Sequence, residues 1–182
     1  MGTRFVAVLA ALMACSCVPS LQPLFSPGDA IDDPGILGTW REEKNGRTWV
    51  VGRGEKGGLA IACTEDGETR NLLGTLGRIG GDVFLDLYPD GDLNLKNSIF
   101  GGHFMPVHVF YRITRTGNDL SAWGLEGDFE KKLVAAGKTR IAQISEGIPV
   151  LTGSSAELRE FIRVHAREKG FLAEAVEMRR VQ

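Results

Sequence analysis

The sequence has little of what several function classes require. Its 182 residues include three cysteines and three histidines, too few to predict a metal centre without a recognisable spacing, and no such spacing is present. Basic residues number 21 against 23 acidic ones, so the formal net charge of −2 gives no basic excess to bind a nucleic acid. A Gly-x-Ser-x-Gly segment, the sequence signal of many serine hydrolases, is missing. No apolar run approaches the roughly 20 residues of a membrane-spanning helix.

The N-terminus, in contrast, carries a clear pattern. Arg4 precedes a short apolar run, Phe5 to Ala14, which is typical of a secretory signal peptide. The tetrapeptide Leu12-Met13-Ala14-Cys15 resembles the bacterial lipobox, in which the cysteine receives a diacylglycerol and becomes the first mature residue. The resemblance implies a signal peptide over residues 1–14 and a lipid anchor in the bacterial cell envelope. Ser16 favours the outer membrane, facing the periplasm, in a Gram-negative host. An ordinary signal peptide cut elsewhere is the alternative.

Composition then divides the rest of the chain. Four prolines between residues 19 and 34 predict that residues 15–34 form the lipidated cysteine and an extended, proline-rich tether. The apolar residues Leu21, Leu24 and Phe25 leave open the alternative that part of this segment packs back on the body. Residues 35–182 are predicted to form a single globular domain. Cys17 and Cys63 either form a disulfide in an oxidising compartment or remain a linker thiol and a buried strand residue.

The folded part reads as short strands joined by tight turns, from residue 40 to residue 125. Asp66-Gly67 between two apolar runs is a strong hairpin signal. Helices are predicted at about 128–136 and 155–168, and the second has capping-box spacing. A last strand at 177–181 could close the β-structure. The predicted fold is mainly β (α+β), an antiparallel meander that forms an open or partial barrel with one or two C-terminal helices packed on it.

The segment Gly38-Thr39-Trp40 resembles the entry of lipocalin-like, calycin-type barrels. In that family the glycine permits a tight turn and the tryptophan plugs one end of the barrel, under an arginine from near the C-terminus. The resemblance therefore implies that Arg179 or Arg180 covers Trp40. The Thr-Asp-Tyr-like second signature is missing, and the six or seven predicted strands are fewer than the eight of a closed barrel. With the lipobox and the tether, the layout resembles uncharacterised bacterial lipoproteins.

Other motifs do not predict a cofactor or metal site. Gly52-Arg53-Gly54-Glu55-Lys56-Gly57 matches a dinucleotide-binding pattern, but a strand follows it where a helix is needed, so we interpret it as a hairpin turn. His103 and His108 are expected on opposite faces of one strand, and His165 on a buried helix face. Asp90-Gly91-Asp92 is more typical of a turn than of a calcium loop.

Three functions remain as hypotheses. The first is non-enzymatic binding of a small apolar ligand by the envelope lipoprotein. The residues expected to line its pocket are Trp49, Phe84, Leu87, Val109, Tyr111 and Trp123. The second is a module that binds another envelope protein through a sheet edge or the C-terminal helix. The third is an envelope hydrolase, which requires a cleft where His108 meets a carboxylate and a serine. The membrane lipid around acylated Cys15 is the one partner that all three share.

Overall fold

A computed structural model describes residues 18–55, 57–91, 106–138, 142–145 and 148–181. The predicted signal peptide, Cys15, Cys17, His103 and Asp92 lie outside these ranges. The described elements, in chain order, are eleven strands, two helices and two 3₁₀ turns. The strands are β1 (Pro19–Ser20), β2 (Gly38–Glu42), β3 (Thr48–Arg53), β4 (Leu59–Glu65), β5 (Glu68–Ile79), β6 (Asp82–Pro89), β7 (His108–Thr116), β8 (Asp119–Gly124), β9 (Ala142–Ser145), β10 (Ile148–Leu151) and β11 (Val176–Arg180). The helices are α1 (Gly127–Ala135) and α2 (Ser155–His165), and the 3₁₀ turns are Pro27–Asp29 and Pro34–Ile36.

Eight strands form a closed antiparallel barrel. Strands β2 to β8 follow one another as a meander, and β11 pairs with both β8 and β2 to complete the ring. Met178 marks the closure, because it lies opposite Leu120 on one side and Glu42 on the other. The predicted mainly β barrel with C-terminal helices is confirmed. The prediction of an open or partial barrel is corrected: the ring is closed, because β11 pairs with both β2 and β8 and completes a set of eight strands.

Local chemistry explains the hairpins. Between β4 and β5, Asp66 and Gly67 have positive φ angles of 50° and 80°, as a tight two-residue hairpin turn requires. The turn that the Asp-Gly pair predicts is therefore present, and it begins the longest strand of the barrel.

The N-terminal segment differs from its prediction as a tether. Strand β1 pairs with β7 and, in parallel, with β10, which forms a hairpin with β9. Leu24 and Phe25 are 0% and 4% exposed. The Phe25 ring lies so close to Gly77 that a Cβ there would come within 2.3 Å of it. Residues 18–34 thus belong to the globular body, because apolar side chains between the prolines are buried on the barrel wall.

Strand alternation produces two separate cores. The inner core fills the barrel, and the outer core lies between the barrel wall, the N-terminal segment and the helices. Inner-core residues include Ile36, Trp40, Val51, Leu59, Ile61, Leu76, Leu87, Ile113, Leu120, Ala122 and Met178. Outer-core residues include Val18, Leu24, Phe25, Ile79, Phe84, Phe110, Leu125, Leu133, Leu151, Leu158, Phe161, Ile162 and Phe171.

Both helices face the outer core. Ser154 begins α2 with the predicted capping box, since its backbone N–H donates to Glu157 Oε2 at 2.9 Å. Phe161 and Ile162 are buried, whereas His165 is half-buried and packs against the Phe161 ring at 4.8 Å between centroids. The helix ends at His165, three residues before its predicted end.

Candidate functional site

One end of the barrel is closed by Trp40. This side chain has no exposed surface, and its Nε1 donates to the Ile36 carbonyl at 2.7 Å. The Arg180 guanidinium lies over the indole at 4.2 Å from the ring centroid and donates to the carbonyls of Gly35 and Leu37, each at 2.6 Å. The stacking and the two hydrogen bonds together fix the 3₁₀ turn across the barrel end.

Gly38 lies at this end of the barrel, whereas Arg179 does not cover it. Gly38 has φ +128°, and a Cβ on it would lie 2.3 Å from the Arg180 guanidinium, so only glycine fits here. Arg179, the other arginine that the resemblance suggested for this position, points out of the barrel. It forms an ion pair with Asp119 at 3.1 Å instead.

A buried carboxylate lies towards the opposite end. Glu42 is 3% exposed, and its Oε1 accepts a hydrogen bond from Trp49 Nε1 at 2.8 Å. Arg47 Nη1 lies 3.7 Å from the same oxygen, and Asn45 Nδ2 is 3.4 Å from Oε2. The β2–β3 turn therefore supplies partners to an acid that would otherwise be costly to bury. Sequence reasoning missed this acid, although its separation of two residues from Trp40 places both side chains on one face of the strand.

Arg47 also links the buried acid to the rim. Its Nε and Nη2 both lie 2.6 Å from Glu65 Oε1, and this hydrogen bonding raises the pKa of the arginine. Cys63, opposite Trp49 in the β3–β4 pairing, is half-buried near this charged group. Burial raises the pKa of the Cys63 thiol, which keeps it in the protonated and less nucleophilic form.

Between the two ends lies a partly open cavity of about 60 Å³. Its wall is almost entirely apolar or aromatic, with Glu42 and Arg47 as the charged side chains. The wall residues are Ile36, Trp40, Trp49, Val51, Ile61, Leu85, Leu87, Tyr111, Ile113, Leu120, Ala122, Val176 and Met178. A dry apolar cavity of about 150 Å³ can hold benzene, so this smaller space fits a ligand of only a few heavy atoms without rearrangement.

The six residues expected to line a pocket are divided between the two cores and the barrel surface. Trp49, Leu87 and Tyr111 line the cavity. Phe84 is fully buried in the outer core, because residues 84 and 87 of one strand point to opposite faces. Trp123 lies on the outer face of β8 under Arg112, whose Cζ is 4.6 Å from the ring centroid.

Val109, the sixth of these residues, is half-buried on β7 and does not contact the cavity.

His108 belongs to a buried polar cluster on the outer wall. Its Nδ1 is 2.8 Å from Asp86 Oδ1, and its ring lies 4.5 Å from the Tyr88 ring. The other oxygen of Asp86 accepts the backbone N–H of Leu24 at 2.7 Å. The pair therefore holds the N-terminal segment against the barrel.

The serine nearest to His108 in the pairing of strands is not available as a nucleophile. Ser20 lies opposite His108 in the β1–β7 pairing, but it is fully buried and its hydroxyl donates to the Gln22 carbonyl at 2.8 Å. The described residues around His108 thus have a structural role, which is to hold the N-terminal segment against the barrel wall.

Glu130 is a second buried acid, on α1. It has no exposed surface, and neither carboxylate oxygen has a hydrogen-bond partner among the described residues. Burial, with a smaller contribution from the nearby charge of Glu126, raises the pKa of Glu130 to about 8. The acid is therefore mostly neutral at pH 7.

Two further observations bear on function. Within the ranges that the structure describes, no group of three or more His, Cys, Asp or Glu side chains is placed to hold a metal ion. In the same ranges, neither helix has the length and apolar character that crossing a membrane requires.

Comparisons of the chain with models of known protein families, with curated proteins and with solved structures found no match.

Proposed function

We propose that the protein is an envelope lipoprotein, anchored through acylated Cys15, whose barrel binds a small apolar ligand without catalysing a reaction. The observation that carries the proposal is the apolar cavity of about 60 Å³ between the Trp40 plug and the buried Glu42 network. A packed barrel has no need of this space, because filling it with side chains would stabilise the fold.

The cavity also limits the ligand. Neither a long acyl chain nor a benzene ring fits within about 60 Å³, so without rearrangement the space admits only an aliphatic group of a few heavy atoms. Glu42 already accepts from Trp49 and Arg47 lies beside it, so a ligand gains most of its binding from apolar contact. One polar group on the ligand could contact Arg47.

Native mass spectrometry of the full-length protein, purified gently from cells that make it, tests the proposal. We expect an added mass that corresponds to a small apolar molecule. Ala122→Val fills part of the cavity from β8 and should remove that mass, whereas Ala60→Val, on the exposed face of β4, should retain it. A ligand-free mass for the unmodified protein, or equal retention by both variants, would contradict the proposal.

Anchoring is tested separately. The N-terminal peptide of the mature protein should begin at Cys15 and carry acyl chains, which together hold it stably at a membrane. Cys15→Ser should abolish both the modification and the retention in the membrane fraction. An unmodified N-terminal peptide that begins at another residue would contradict the proposed anchor. The ligand-binding test would be unaffected.

The second candidate is an interaction module of the envelope. The observation that favours it is a pair of exposed apolar side chains, Val50 at 48% and Leu73 at 45% exposure, on the outer faces of β3 and β5. Crosslinking in intact cells should lose a partner band in Val50→Thr/Leu73→Thr if this surface binds another protein. An unchanged pattern would contradict this candidate.

A further inference from the structure

Val18, a buried residue of the globular body, follows Cys15 by only three positions in the sequence. Val18 is 2% exposed and belongs to the outer core, so only Ser16 and Cys17 separate it from Cys15. An extended chain covers at most about 3.6 Å per residue, which places the Cys15 Cα no more than roughly 11 Å from that of Val18. A lipid on Cys15 would therefore hold the body against the bilayer.

Helix α1 begins beside this anchor point. A Cβ on Gly127, its first residue, would lie 3.9 Å from the Val18 side chain. The buried side chains of α1 are Glu130 and Leu133, and the opposite face is exposed. At a rise of about 1.5 Å per residue, the whole helix lies within about 15 Å of its first turn.

The exposed face of α1 is basic. Lys131 and Lys132 lie on it, and Lys138 follows just after the helix, all three exposed. Asp128 on the same face pairs with Lys131 at 3.5 Å between Nζ and Oδ1. Glu126, which caps the start of the helix, carries a second negative charge, so the three lysines leave α1 and its ends with a net charge of about +1.

We infer that Lys131, Lys132 and Lys138 rest on the anionic phospholipid headgroups of the membrane that holds Cys15. The inference depends on the lipid anchor proposed above and adds an orientation to it. Each lysine near an anionic leaflet is attracted by the surface potential, and the short link keeps these charges within the distance over which that potential acts. The barrel wall around β3, across the ring from β7, then faces away from the bilayer.

Lysine acetylation read by mass spectrometry tests this orientation on the full-length, acylated protein. The protein is reconstituted into phosphatidylcholine vesicles with or without phosphatidylglycerol, and acylation of Cys15 is measured on the same sample. We expect Lys131, Lys132 and Lys138 to react several-fold more slowly on vesicles that contain phosphatidylglycerol. Lys44 in the β2–β3 turn, whose side chain is 68% exposed, serves as the internal control and should react equally on both.

An insertion checks the cause of the protection. An insertion of about ten Gly and Ser residues between Cys17 and Val18 introduces a flexible tether. It should raise the acetylation rates of Lys131, Lys132 and Lys138 towards that of Lys44. Protection that survives the insertion at full strength would overturn the role of the short link.

The remaining outcomes separate the two proposals. Acylated Cys15 with equally reactive lysines on both kinds of vesicle would overturn the orientation and leave the anchor standing. A protein without acylation at Cys15 would overturn the anchor and, with it, the orientation.

Discussion

The two cores of this protein are built on the same strands and yet differ in what they contain. The outer core brings together Phe84, Phe110, Phe161 and Phe171, with the rings of the last two 5.7 Å apart between centroids, whereas the inner core keeps a cavity of about 60 Å³. The inner core also surrounds its buried acid, Glu42, with partners, and the outer core leaves Glu130 without one among the described residues. The outer face of the barrel wall thus carries the larger aromatic cluster, and the inner face retains empty space.

Strand β6 offers the most direct way to break this comparison, because Phe84 and Leu87 point into different cores. Phe84→Ala should lower the free energy of unfolding by about 4 kcal/mol, since a fully buried ring in a filled core leaves a large void. Leu87→Ala should cost about 2 kcal/mol, because one side of this leucine already faces empty space and has fewer contacts to lose. Urea unfolding of both variants measures the difference. Equal losses would show that the inner core is packed as tightly as the outer one.

The two buried acids provide a second contrast, through pH. The pKa of Glu130 is raised to about 8, above the usual 4.5, so the folded protein holds a proton that the unfolded chain releases. Below pH 4.5 Glu130 is protonated in both states and does not make the free energy of unfolding depend on pH. As the pH rises from 4.5 to about 8, the free energy of unfolding falls, with a slope of up to about 1.4 kcal/mol per unit. Glu130→Gln should remove this slope and be more stable than the unmodified protein at pH 8 by about 4 kcal/mol. Urea midpoints from pH 5 to about 8 test it, and parallel curves for the two proteins would contradict it.

The Asp86–His108 pair on the outer wall allows a test of how firmly the N-terminal segment is held on the barrel. Asp86→Ala leaves the Leu24 N–H without its buried acceptor and should cost about 2 kcal/mol. Hydrogen exchange should show the Leu24 amide opening more readily than amides of the barrel strands. An unchanged exchange rate at Leu24 would mean that apolar packing alone holds the segment.

The sequence predicted the strands better than the faces that they present. Alternation and the Asp66-Gly67 turn were enough for a β-meander, because both are local signals. Apolar character alone does not distinguish the two faces of a strand, so Phe84 and Trp123, which the sequence predicted to line the pocket, lie on the outer face. Glu42 was missed for the same reason, although Trp40 two residues before it marks the inner face.

The N-terminal segment shows a different limit of sequence reasoning. Its prolines predicted a tether, since proline disfavours regular structure. The contact that places it on the body joins Phe25 to Gly77, 52 positions along the chain, and depends on the barrel wall existing first. A glycine in the middle of a strand leaves a hollow on the outer wall, but which ring fills it is decided by tertiary packing.

The smallest effect is expected at the closed end, where the chain offers a matched pair of arginines. Arg180→Lys keeps the charge but loses the planar stack on Trp40 and at least one of the two carbonyl hydrogen bonds, and should cost about 1 kcal/mol. Arg179→Lys changes a side chain that is 67% exposed and ion-paired at the surface, where substitutions usually stay within about 0.5 kcal/mol. Thermal unfolding of the two variants under the same conditions compares the loss of stability at the Trp40 plug with the loss at the surface. Equal midpoints would mean that Trp40 closes the barrel by packing alone, and the closed end would then owe its stability to the same apolar burial as the outer core.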